Sequence, residues 1–248
     1  MTFCRDCEFC GCDSGEGVKL EELREEVLEA NLELVRRGLV LYTFGNASGI
    51  ARDQGLVVIK PSGVAYESMK PEHLVIVDLS GRVVEGALRP SSDLATHLIL
   101  YRAFTEIGGV AHTHSQAATS WAQAQREIPC FGTTHADYFR GSVPVTEALS
   151  AEEVESDYEV NTGHAIVRRF KELDPMEAPA VLVASHAPFC WGKTPSEAAH
   201  LAVILEEIAA LALRTIAANP KTGAIPRHLH DKHFLRKHGT TAYYGQKK

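Results

Sequence analysis

The sequence predicts a single α/β domain. Short β-branched runs alternate with longer segments in which apolar residues recur every three or four positions, and neither an internal repeat nor a low-complexity linker divides the chain. With 248 residues, 45% of them hydrophobic, the chain can bury a full core without help from a metal or a disulfide. Any bound metal is therefore expected to serve chemistry.

The elements follow in order. From Lys19 the apolar positions Leu20, Leu23, Val27, Ala30 and Leu34 share one helical face, and Gly38 is placed to cap the helix C-terminus. Leu56 to Lys60 and Leu74 to Asp78 read as strands, set apart by Pro61, Gly63 and Pro71. Asp93 to Phe104 has helical periodicity behind Ser91 and Ser92. Gly109 to His114 reads as a buried strand and Ser115 to Gln125 as a helix, Ala180 to His186 as a second apolar strand, and Pro195 to Ala218 as a long helix with proline in its first turn. A last helix is expected over Arg227 to His238.

Composition narrows the function. Lys and Arg number 25 against 32 Asp and Glu, a net charge of -7, which disfavours sequence-independent nucleic-acid binding. No apolar run reaches the roughly 18 residues that would span a bilayer, since Glu206 and Glu207 interrupt the most apolar helix. The first residues carry no apolar signal segment, so a cytoplasmic protein without membrane partners is expected. Residues 1–17 hold Cys4, Cys7, Cys10 and Cys12, too tightly spaced to wrap an ion easily. They read as a Cys-rich tail, disordered or preceding an alternative start at Val18, ahead of a domain over 18–248.

A histidine constellation carries the chemistry. His112 and His114, two apart in a strand, project from one face, and His186 ends another apolar strand. Asp93, at a helix start, offers an anionic fourth ligand. Three imidazoles and a carboxylate suit zinc, with manganese and cobalt as competitors. The other histidines, His97 among them, fit ordinary structural or surface roles. Two loops, Gly45-Asn46 in F-G-N-A-S and Ser62-Gly63 in K-P-S-G, offer hydroxyls and backbone N–H groups to an anion, with Lys60 adding charge.

Taken together, F-G-N-A-S, K-P-S-G, P-S-S-D, H-T-H, G-T-T-H-A-D-Y-F, S-H-A-P-F-C-W-G and L-R-K-H-G-T-T-A-Y-Y-G-Q resemble the class II aldolase superfamily from about Val18 to Gln246. The resemblance implies a three-layer α/β/α fold around a mostly antiparallel sheet, and a homotetramer with active sites between neighbouring subunits. It implies Asp93, His112, His114 and His186 as ligands of one divalent metal per subunit, and Gly45, Asn46, Lys60, Ser62, Gly63, Ser91 and Ser92 as the groups that hold substrate and phosphate. It further implies Asp137 and Tyr244 as a proton-transfer pair, with His233 supporting the tyrosine from an adjacent subunit. The implied activity is metal-dependent conversion of L-ribulose 5-phosphate to D-xylulose 5-phosphate. The rival within the superfamily is an aldolase of the fuculose-phosphate type, which resembles P-S-S-E where this chain has Asp93; a non-catalytic domain like the head of adducin would lack the histidine set.

Overall fold

The computed structural model describes residues 14–240 together with 242 and 243. The four N-terminal cysteines and Tyr244 lie outside the described residues, as does most of the 1–17 segment. The helix expected from Lys19 starts earlier, as α1 (Ser14–Arg36), and ends as the sequence requires. Gly38 adopts a positive φ of 68°, its N–H donates to the Val35 carbonyl, and the Leu39 N–H reaches back to Leu34.

The sheet contains β1 (Asn46–Ala51), β2 (Leu56–Ile59), β3 (Val75–Asp78), β4 (Val83–Glu85), β5 (Gly109–His112), β6 (Ala180–Leu182) and β7 (Pro188–Gly192). Its order is β4-β3-β2-β1-β5-β7-β6, and every neighbouring pair is antiparallel. The helices are α1, α2 (Leu94–Ala103), α3 (Gln116–Gln123), the short α4 (Thr133–Ala136) and α5 (Ala151–Glu155), then α6 (Tyr158–Arg169), α7 (Pro195–Ala218) and α8 (Arg227–His238). The last two match the sequence reading residue for residue.

Two buried clusters make the molecule three-layered. On one face Ala47, Ala111, Leu182 and Cys190 pack under Leu34 of α1, Trp121 of α3 and Leu205 of α7. On the other, Ile50, Val57, Val110, Val181 and Trp191 meet Leu98 and Tyr101 of α2 and Ile166 of α6. The alternation of strand residues between the two clusters is the period-two signature of a sheet covered on both sides.

Several elements differ from their expected form. The segment F-G-N-A-S was expected as a loop, yet Asn46–Ala51 is a central strand built from small residues. The helices come too close for bulk there: a Cβ on Gly49 would sit 2.6 Å from Pro195 and 2.7 Å from Leu23. Expected to reach His114, β5 stops at His112, whose partners Asn46 and Phe189 are the last residues of the ladder on either side. Likewise β6 ends at Leu182 rather than His186; residues 183–186 turn back into β7, with the Val183 N–H on Ala187 and the His186 N–H on Val183. The resulting hairpin, with Ser185 at a positive φ of 60°, places His186 in a turn instead of at a strand end.

Candidate active site

One end of the sheet gathers the predicted metal, phosphate and substrate residues into a single pocket of about 430 Å³. Gly45, Asn46, Lys60, Ser62, Gly63, Ser91, Ser92, Asp93, His112, His114 and His186 all line it. Thr43, Phe44, Pro61, Tyr158 and Glu159 complete the wall. Tyr158 and Glu159 open α6, and nothing in the sequence singles them out, since a phenol and a carboxylate in the first turn of a helix carry no site signal of their own.

Three imidazoles converge at the pocket floor. His112 Nε2 lies 3.2 Å from His114 Nε2 and 3.3 Å from His186 Nε2. The rings crowd at centroid separations of 5.0 and 5.1 Å, and His112 also stacks on Phe189 at 4.2 Å. His112 Nδ1 is 2.9 Å from the Pro188 carbonyl oxygen, which can only accept, so Nδ1 carries the proton and Nε2 offers its lone pair inward. His186 Nδ1 is held by the Tyr158 hydroxyl at 3.0 Å. Burial and the neighbouring imidazoles press His114 below its usual pKa and His186 down to about 4, keeping both neutral at physiological pH. Three ring nitrogens converging on one point, with the His112 and His186 rings each held at Nδ1 by an outer partner, form a donor set that fits a divalent cation.

Asp93, the residue preceding α2, faces the same pocket but stands apart from the three-histidine cluster. Its Oδ2 accepts a 2.6 Å bond from Asn46 Nδ2. Burial works to raise its pKa, and the fields of His112 and His97, the Asn46 bond and His186 outweigh burial, so the carboxyl is held below its ordinary range.

The three polar loops, Gly45-Asn46, Ser62-Gly63 and Ser91-Ser92, are tied to one another. The Ser62 N–H donates to Arg89, the Ser91 N–H to Lys60, and the Tyr66 hydroxyl to the Gly45 carbonyl at 2.8 Å. Gly45, at φ 82°, brings the chain against His112, where a Cβ would meet the His112 carbonyl oxygen at 2.8 Å. Lys60 is 2% exposed; its ammonium donates to the Pro61 carbonyl at 3.3 Å and lies 4.6 Å from the Tyr66 ring centre. Among the described residues no carboxylate forms a salt bridge with it, and burial lowers its pKa.

Asp137 stands elsewhere. It follows α4 and is bound by α8 of its own chain: His233 Nδ1 lies 3.0 Å from Oδ1, Arg236 donates to both oxygens at 3.0 and 2.6 Å, and Lys237 lies 4.0 Å away. Burial works against ionisation, but these cationic and hydrogen-bonding partners win, and the carboxyl is lowered. His233, expected beside a tyrosine of an adjacent subunit, thus pairs within its chain with Asp137, and neither lines the pocket.

The profile of the family described as Class II Aldolase and Adducin N-terminal domain matches residues 25–213. The chain belongs to the class II aldolase family. Its relatives in that family include L-ribulose-5-phosphate 4-epimerase UlaF of Salmonella paratyphi C (strain RKS4594) and of Salmonella choleraesuis (strain SC-B67). Each is 54% identical over 228 residues, 92% of this chain and 100% of the relative. Among solved structures, an L-fuculose 1-phosphate aldolase matches with a TM-score of 0.72 at 25% identity, covering 86% of this chain and 94% of its own. The L-fuculose-1-phosphate aldolase from Thermus thermophilus shares the class II aldolase fold at a TM-score of 0.64 and 23% identity, covering 80% of this chain and 97% of its own.

Proposed function

We propose that the protein is a metal-dependent epimerase that interconverts L-ribulose 5-phosphate and D-xylulose 5-phosphate. The observation that carries this reading is the meeting, in one pocket, of the three converging imidazoles with all three polar loops and the buried Lys60. The identity to the Salmonella epimerases supports the substrate.

The chemistry explains the residues. In a 2-ketopentose 5-phosphate the proton on carbon 3 is acidified by the carbonyl, while the proton on carbon 4 is not. Inversion at carbon 4 therefore proceeds by breaking the bond between carbons 3 and 4, turning the aldehyde fragment, and re-forming the bond on its other face. His112, His114, His186 and Asp93 would hold a divalent cation, with zinc the best match to the donors and manganese or cobalt as substitutes. Bound there, the cation supplies Lewis-acid stabilisation of the negative charge that carbon–carbon cleavage generates. Ser62, Gly63, Ser91, Ser92 and Lys60 tether the phosphate, so that glycolaldehyde phosphate turns without escaping. Asn46 is bonded to Asp93 and Ser91 through its amide nitrogen, which ties the first loop to the carboxylate ligand; its buried oxygen has no hydrogen-bond partner among the described residues.

The aldehyde oxygen exchanges a proton on opposite sides before and after rotation, which calls for two acid/base groups. We assign these to Asp137 and Tyr244. Asp137 lies outside its own chain's pocket, so the pair acts where subunits meet in a homotetramer, with His233 and Arg236 orienting the carboxylate. A mixture of Tyr244→Phe and His112→Ala subunits, allowed to exchange, is expected to regain part of the activity each variant lacks. Verified mixed tetramers without activity would remove the tyrosine from a neighbour's site. Incubating zinc-loaded protein with L-ribulose 5-phosphate tests the reaction itself: D-xylulose 5-phosphate is expected, whereas accumulation of free glycolaldehyde phosphate would make the protein an aldolase.

A further inference from the structure

His97 reads from sequence as an ordinary core histidine, and its surroundings say otherwise. It projects from α2 one turn beyond Asp93, is fully buried, and touches no solvent. Asn46, Ser48 and Ile50 alternate onto the α2 face of β1, opposite Ala47, and His97 packs against Ser48 on this face and edge-on to Phe189, the ring that also stacks on His112. The imidazole thus sits one layer beneath the metal-site end of the sheet.

A short hydrogen-bond chain fixes its protonation. The Ser48 hydroxyl lies 2.7 Å from His97 Nδ1 and 2.8 Å from the Tyr101 hydroxyl, and all three side chains are buried. If Nδ1 carried the proton and donated it to Ser48, the serine and tyrosine would have two hydroxyl protons and only one acceptor between them. With Tyr101 donating to Ser48 and Ser48 donating to Nδ1, both hydroxyl protons are placed. The second arrangement puts the imidazole proton on Nε2. That nitrogen is buried and, among the described residues, has no hydrogen-bond partner. An unmatched buried N–H is costly and calls for an acceptor. Asp93, the residue before α2 and one helical turn from His97, supplies the carboxylate nearest in sequence, and its backbone carbonyl accepts the His97 N–H at 3.1 Å.

We propose that His97 is a positioning residue of the metal site: the Tyr101–Ser48–His97 chain holds the Nε2–H tautomer, and this proton fixes the Asp93 carboxylate, directly or through one buried water, when Asp93 joins the three histidines around the ion. Outer partners of this kind orient the groups that hold a metal and raise its affinity. The inference rests on the reading of Asp93 and the three histidines as ligands, and it adds a residue that no coordination set would include.

Zinc affinity measured by chelator competition tests it, with no turnover involved. His97→Asn keeps a polar group beside Ser48 and loses the one at Nε2; it is expected to fold and to bind zinc about 10- to 100-fold more weakly. His97→Gln extends an amide N–H toward the Nε2 position and is expected to stay within about threefold of wild type. Should His97→Asn fail to fold, Tyr101→Phe conserves the packing and removes one hydroxyl proton, and it should weaken zinc binding in the same direction. Nitrogen NMR of selectively labelled histidine reads the tautomer directly, with Nε2–H expected at His97. Wild-type zinc affinity in His97→Asn, equal losses in the Asn and Gln variants, or an Nδ1–H tautomer would overturn the proposal. A wild-type protein that binds no divalent ion would instead overturn the ligand reading, and the proposal with it.

Discussion

Replacing Lys60 by methionine should strengthen the fold and weaken the enzyme. The ammonium is 2% exposed, and its partners are one carbonyl at 3.3 Å and the face of Tyr66 at 4.6 Å, with no salt-bridged carboxylate among the described residues. A buried charge without an anion costs about 1–4 kcal/mol relative to an apolar side chain of the same shape. The contact with Tyr66 returns up to about 2 kcal/mol. The balance is a gain of about 1 kcal/mol on substitution, read as a rise of about 2–4 °C in Tm for a chain of this size. The same change removes a charge-assisted bond to the substrate phosphate worth about 1.5–3 kcal/mol, a rise of about 10- to 150-fold in KM. The pH dependence has a definite sign. Burial lowers the folded-state pKa of Lys60, so the unfolded chain binds more protons between that value and 10.5, and wild-type stability gains on the variant as pH rises through this window. Thermal scans with and without inorganic phosphate, alongside steady-state kinetics, check both halves. A variant that is less stable than wild type and keeps its KM would refute the view of Lys60 as a cation held in readiness for an anion.

Other expectations follow from single contacts. Gly45→Ala forces a Cβ to 2.8 Å from the His112 carbonyl and 2.9 Å from Val40 at a φ of 82°, and should cost about 2–4 kcal/mol in denaturant unfolding. Glu206 accepts the backbone N–H groups of Ala117 and Ala118 at 2.7 and 3.0 Å, anchoring the start of α3 just after the His112 to His114 segment; Glu206→Ala should cost about 1–3 kcal/mol, and Glu206→Gln less. Burial pushes His135 down to about 4, partly offset by the Gly141 carbonyl, so its neutral form stabilises the fold fully above pH 6.5 and less as pH falls toward 4. The difference between 6.5 and 4 corresponds to about 3 kcal/mol, and His135→Gln should flatten the stability profile across that window.

The long helices were legible because their signals are local and redundant. Pro195 in the first turn marks α7, and Gly38 closes α1 with two backbone bonds. Central strand β1 was not legible, since Asn46–Ala51 is dictated by the proximity of α1 and α7 and not by β-branched residues. Strand β7 hid behind Pro188, which is tolerated as a first strand residue. At the site, the H-T-H spacing and the serine loops carried their own chemistry, and the fold brings all of these residues to one pocket. The strand geometry inferred for His114 and His186 differs from the structure, because the link between β5 and α3 supplies one ring and the turn between β6 and β7 the other. Tyr158 and Glu159 carry no signal in the sequence, and His97 reads there as an ordinary histidine, because a phenol, a carboxylate or an imidazole on a helix acquires meaning only from what the fold sets beside it.

Cleavage and re-formation of the bond between carbons 3 and 4 is tested most directly by running the reaction on L-ribulose 5-phosphate in deuterium oxide and reading the product by proton NMR. The proton on carbon 4 travels with the aldehyde fragment throughout, so D-xylulose 5-phosphate should form with protium at carbon 4. Deuterium at that position in the epimerised product would show inversion by deprotonation and contradict the mechanism.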